Sequence, residues 1–112
     1  MKTPIHSSLA SGRWNELSLC EQLGNVGSEV SRALRARESK NEERLQGALD
    51  RMLELMDLTI ADPKHRGPRL RELCRTREVL CDFFFGENEY GSTGESLDKY
   101  FFAFALAARS GK

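Results

Sequence analysis

Early in the chain, apolar side chains return every three or four positions, at Leu19, Leu23, Val26, Val30 and Leu34. That is the period of one face of an α-helix, and it predicts a helix over residues 16–37. Ser18 and Glu21 at its start have the spacing of a capping box. The same period returns in Leu45, Leu49, Met52, Leu53, Met56 and Ile60, predicting a second helix over residues 41–61 that stops at Asp62-Pro63. A third, over residues 69–85, carries Leu70, Leu73, Cys74, Leu80, Cys81 and Phe84 on one face, with Gly86 where a left-handed C-cap belongs. A fourth, over residues 93–109, opens on Ser92 and Glu95 as a second capping box. Its inner side is expected to hold Leu97, Tyr100, Phe101, Phe104, Ala105 and Ala108.

No stretch alternates in the way a half-buried strand does, and the links between the periodic segments are short, which favours antiparallel neighbours. The pattern therefore predicts an all-α fold, an up-down antiparallel four-helix bundle. At 112 residues it fits one domain, residues 14–112, with residues 1–13 a loose tail rich in Ser, Gly and Ala. Beside the stripe of the first helix stand Cys20, Gly24, Gly27 and Ser31, all small. A glycine inside a helix costs about 1 kcal/mol relative to alanine, and two on one flank predict that something packs closely there.

The aromatic run raises a different question. Successive helical residues point about 100° apart, so Phe83, Phe84 and Phe85 cannot share one core. Phe84 is expected inside, and Phe83 or Phe85, together with Phe102 across the polar turn, at a flank or outside. Exposed rings on this scale predict a protein interface formed by Phe83, Phe85, Tyr90 and Phe102, most simply with a second copy of the chain. The competing reading is that the turn folds back and Tyr90 covers the rings.

Charge narrows the alternatives. The chain has 17 basic and 17 acidic residues, so no whole-molecule field draws it to nucleic acid or an anionic membrane. Locally, Lys64, Arg66, Arg69, Arg71, Arg75 and Arg77 crowd the start of the third helix, where positive charge opposes the helix dipole. Either these arginines neutralise Glu54, Asp57 and Asp62 at the end of the second helix, which is the favoured reading, or Lys64, Arg66, Arg69, Arg71 and Arg75 bind nucleic-acid phosphates. Arg77 lies on the apolar stripe itself, which predicts a buried ion pair with Asp57, Glu29 being the other inward-facing acid.

Catalytic chemistry finds little support. Cys20, Cys74 and Cys81 lack the spacing of a zinc site or redox pair and read as small buried residues in a reducing compartment. Cys74 and Cys81 stand roughly 10 Å apart along one helix axis, too far for a disulfide. The carboxylate pairs Glu54 with Asp57 and Glu78 with Asp82 are the material from which a magnesium-dependent nucleotide hydrolase would be built, and both fit ordinary solvated faces. His6 falls in the tail and His65 in a turn, without the neighbours of a histidine-dependent ribonuclease. No enzyme, cofactor or metal is expected. With no signal-like start and no membrane-length apolar run, the expected location is the cytoplasm.

The strings "LSLCEQLGNVGSEVSRA", "LMDLTIADPKHRG", "REVLCDFFFGENEYGST" and "KYFFAFALAAR" resemble a group of short bacterial helical proteins, over nearly everything after Trp14. That resemblance implies a helical fold and brings no activity with it. In architecture alone the chain is similar to the four-helix-bundle accessory proteins of diversity-generating reverse transcriptases and to the proteins encoded in ribosomal RNA intervening sequences. Those form rings and are basic; this chain has zero net charge and shares no motif with them, so no residue role is carried over. The expected functions rank as a self-associating interaction or scaffold protein first, a nucleic-acid-binding accessory protein second, and a nucleotide hydrolase a distant third.

Overall fold

In the computed structural model, described here for residues 12–110, a 3-10 turn at Arg13–Glu16 precedes four helices: α1 Leu19–Glu38, α2 Glu42–Ala61, α3 Pro68–Phe85 and α4 Gly94–Ser110. The described residues contain no strand, and the fold is an all-α four-helix bundle. Most of the expected tail, including His6, lies outside the described residues.

Three of the four helices start where a side chain satisfies a free N–H group, and α3 starts on a proline. Ser18 accepts from the Glu21 N–H and Glu21 accepts from the Ser18 N–H, the reciprocal pair the sequence predicts. Because Ser18 is the cap, α1 begins at Leu19, later than expected, and Leu17 is extended between the 3-10 turn and the helix. The Asn41 side chain caps α2 by accepting from the Arg44 N–H. Pro68, rather than Arg69, opens α3, in the first turn, where the missing N–H has no intrahelical partner to lose and the fixed φ suits a helix start.

Two terminal predictions are corrected. The cap of α4 is Thr93, whose hydroxyl accepts from the Ser96 N–H while Ser96 Oγ accepts from the Thr93 N–H. Ser92 is unavailable for that role because Asn88 clamps it, accepting from its N–H and donating to its carbonyl. Gly86 ends α3 in an extended conformation (φ −107°), and the left-handed residue comes later, at Asn88 (φ 57°).

α1 is the central element, packed along both α2 and α4, while α3 meets α2 over a shorter length. Gly24 faces Ala105, Ser31 bonds Asp98 and Gly94 abuts Leu34, so α1 and α4 run in opposite directions. Glu29 with Arg51 and Gln22 with Asp62 show the same for α1 and α2. Leu23, Val26, Val30, Met52, Met56, Leu73, Leu80, Leu97 and Phe101 form the centre of the core. Their burial is the main stabilising contribution, at about 1.5–3 kcal/mol for a large apolar side chain.

The small flank of α1 has the close neighbour its glycines imply. A Cβ at Gly27 would stand 2.5 Å from Phe101 Cβ, and one at Gly24 would stand 3.1 Å from Ala105 Cα. α3 is the peripheral helix, meeting its neighbour α2 over a short length and burying Leu73, Thr76 and Leu80. For that reason the expected burial fails for the two cysteines of α3, Cys74 being exposed and Cys81 half-buried; Cys20, at the start of α1, is half-buried as well. Among the described residues no helix is long and apolar enough to cross a membrane.

Candidate functional site

The basic residues at the start of α3 divide into two groups. Lys64 is held inward, donating from Nζ to Asp62 and, at 2.8 Å, to the Asn15 carbonyl. Arg66 donates to the Pro63 carbonyl. Arg69, Arg71 and Arg75 are exposed and make no ion pair with the described residues. The mutual neutralisation of the two helix ends therefore operates through Lys64 and Arg77 and leaves three guanidinium groups facing solvent.

Arg77 does pair with Asp57, Nε to Oδ1 at 2.7 Å. The pair is not buried, since the Asp57 side chain is 58% exposed. The stripe on which Arg77 lies is only half covered, because α3 sits at the edge of the bundle. The hydrogen bond to Asp57 is the main cause of the raised Arg77 pKa. A solvated pair of this kind stabilises by about 0–1 kcal/mol. Glu29 is the buried acid instead, shared by Arg32 (2.8 Å) and Arg51 (3.0 Å).

The aromatic residues occupy separate places. Phe83 is half-buried, edge-on to Phe84 at 4.9 Å between ring centres, with the Arg37 guanidinium also 4.9 Å above its face. Tyr90 folds back only as far as Glu78, to which its hydroxyl donates at 3.1 Å, and is itself 51% exposed. That bond is the first cause of its raised pKa. Phe85 remains 54% exposed. Phe102, at 58%, lies on the α1 side of α4, lining a groove of about 360 Å³ with Gly24, Ser28, Ser31 and Asp98. Leu106, one helical turn further on, is 48% exposed. The sequence signal for it was present in the i, i+4 spacing from Phe102.

Both candidate carboxylate pairs are occupied structurally. Asp82 accepts from the backbone N–H groups of Glu89 (2.8 Å) and Tyr90 (3.0 Å), tying down the α3–α4 loop, and Glu78 holds Tyr90. Asp57 takes Arg77. Among the described residues no three His, Cys, Asp or Glu side chains converge as metal ligands.

The sequence reading missed a polar cluster sealed at the end of the bundle where the 3-10 turn, α1 and the α2–α3 turn meet. Trp14 Nε1 donates to Thr59 Oγ1 at 2.9 Å. Gln22 Nε2 donates to Asp62 Oδ2 (2.8 Å) and to the Trp14 carbonyl (3.0 Å). Its oxygen therefore faces His65 Nε2, 2.7 Å away, which assigns the ring proton to Nε2. His65 Nδ1 is then a bare lone pair, buried with no hydrogen-bond partner among the described residues. Burial pushes the His65 pKa down, against the pull of Asp62 and with the help of Lys64 and Arg69. Burial alone would raise Asp62, but the bonds from Lys64 and Gln22 outweigh it and hold the carboxyl below its usual value. All of Gln22, Thr59, Asp62 and His65 are buried, and the network is closed to solvent, so it acts as a structural clamp.

Compared with protein-family models, curated proteins and solved structures, the chain matches none of them.

Proposed function

We propose that this protein is a self-associating helical interaction module whose α4 face docks against a second copy. The observation that supports it is a knob beside a hole. From Tyr100 to Ala108 α4 carries no charge, and Phe102, Ala103, Leu106 and Ala107 are all exposed. Next to this ridge, Gly24 and the small side chains of Ser28 and Ser31 leave a groove able to take an aromatic ring. A surface that carries both a projecting ring and its receptacle is self-complementary, so a two-fold axis fills both grooves at once. Asp98 and Lys99 at the groove supply opposite charges for the same symmetric match.

The interface is thus narrower than the aromatic set read from the sequence: Phe102 with Leu106, while Phe83 serves the fold. Light scattering at micromolar concentration is expected to give a mass above the monomer. Phe102→Ser should weaken the dimer by about 2 kcal/mol, roughly thirtyfold in its constant. Phe85→Ser, outside the groove, should leave it unchanged. A monomeric parent, or equal effects of the two changes, would overturn the reading.

A second reading, a nucleic-acid accessory protein, is favoured by one observation: Arg69, Arg71 and Arg75 stand exposed and unpaired among the described residues. Loss of RNA or DNA binding when these three become alanine is the result that would promote it.

A further inference from the structure

On the other flank of α1, the side chains of its C-terminal half and of the first turns of α2 enclose an open groove of about 890 Å³. Arg32 and Arg35 line it from α1, Arg44 and Arg51 from α2, with Glu43 on its wall and Gly47 beneath. None of these arginines belongs to the basic run that the sequence displays at the start of α3.

From this arrangement we infer that the α1–α2 groove binds a linear chain of phosphate groups. The guanidinium groups there are organised in advance. Glu29 is buried and accepts from Arg32 Nη1 at 2.8 Å and from Arg51 Nε at 3.0 Å, which fixes two of the four. Because Arg51 uses only Nε for that bond, its two terminal nitrogens have no protein acceptor among the described residues. They lie 3.4 and 4.0 Å from the place a Cβ would occupy at Gly47, over the part of the wall that carries no side chain. Arg35 and Arg44 are exposed and make no ion pair with the described residues.

Four guanidinium groups against two carboxylates, one of them already saturated, leave net positive charge in one groove of a molecule whose total is zero. Like charges held together repel unless an anion joins them. Planar forks with free paired N–H groups match the oxygens of phosphate better than a diffuse ammonium would. Among the described residues no aromatic side chain lines the groove, so what it offers is a row of charges. Two sources carry this chemistry, the phosphodiester backbone of a nucleic acid and a free polyphosphate.

The test uses the full chain and fluorescence anisotropy of a labelled single-stranded DNA and a labelled duplex, at several salt concentrations, with unlabelled inorganic polyphosphate as competitor. Arg35→Glu and Arg44→Glu are the informative variants, because both side chains are exposed and their loss leaves Glu29 paired; thermal unfolding checks that each still folds. Expected is affinity that falls steeply with salt, drops roughly tenfold or more in each variant, and is competed by polyphosphate. A variant of Arg66, Arg69 and Arg71 to alanine should bind as the parent does. Binding of polyphosphate without DNA assigns the free chain as the source and supports the inference. It is overturned if neither probe binds at low salt, if the α3 variant loses binding while the groove variants keep it, or if polyglutamate competes as well as polyphosphate. Masses measured in the same samples separate this result from that of the proposed self-association, on which it does not depend.

Discussion

Along one flank of α1, Gly24 and Gly27 bring α4 so near that the Phe101 side chain occupies the space a Cβ would need; along the other, α2 is held through Gln22, Glu29 and their partners, and an open groove remains between the helices. The first seam is set by close contact, with the Ser31–Asp98 hydrogen bond at its edge; the second adds buried polar pairs to its apolar packing and leaves space open. Close approach tolerates no added atom, because packed interiors transmit every displaced methyl. The polar seam tolerates space but no missing partner, because a buried group without its hydrogen bond costs about 1–3 kcal/mol. Cutting each seam in its own way should therefore give losses of different size and character.

The largest loss is expected from Gln22→Leu. One change strips a partner from the His65 N–H, Asp62 and the Trp14 carbonyl together, and about 3 kcal/mol of stability should go. Urea unfolding monitored by circular dichroism measures it, with an unchanged slope expected. A loss below about 1 kcal/mol would mean that the cluster does not clamp the end of the bundle.

Gly27→Ala comes next. Alanine improves helix propensity by about 1 kcal/mol, yet here its methyl must displace Phe101, and a net loss of about 2 kcal/mol is expected. Combining it with Phe101→Ala should cost less than the sum of the two changes, since the second removes the obstacle created by the first. Strict additivity would place the close contact elsewhere.

The smallest effect is a pH dependence belonging to the polar seam alone. His65 is neutral in the folded protein with its pKa lowered, whereas the unfolded chain takes up a proton below 6.5. The unfolded state thus gains as pH falls below that value, and stability present at pH 7 declines toward pH 5. Asp62 is lowered from 3.8, so its own contribution disappears only under stronger acid and does not enter this interval. His65→Gln should flatten the fall in melting temperature between pH 7 and pH 5, and parallel curves for the two proteins would refute the assignment.

What could be read from sequence follows the same division. The helices and the small flank were legible because their signals are local: apolar residues at regular spacing, Ser18 with Glu21, and two glycines on one side of α1. The clamp was not, because Trp14, Gln22, Thr59, Asp62 and His65 come from separate segments and each looks ordinary in its own. The arginine groove was hidden for the same reason, two of its arginines lying on α1 and two on α2. Where two local signals overlapped, spacing could not choose between them: Ser92 with Glu95 and Thr93 with Ser96 are both three apart, and Asn88 decides by holding Ser92. Arg77 was correctly paired and wrongly buried, since a stripe of apolar residues does not disclose that its helix lies at the edge.

The seam between α1 and α4 also joins nearly the first described element to the last. A chain emerging from the ribosome can pair α1 with α2 early, but the glycine flank of α1 has nothing to receive until Phe101 and Ala105 have been made. Closing so long a loop costs entropy before any contact offsets it. The glycine flank of α1 therefore stays open until the ribosome has delivered α4, however early the rest of the core forms.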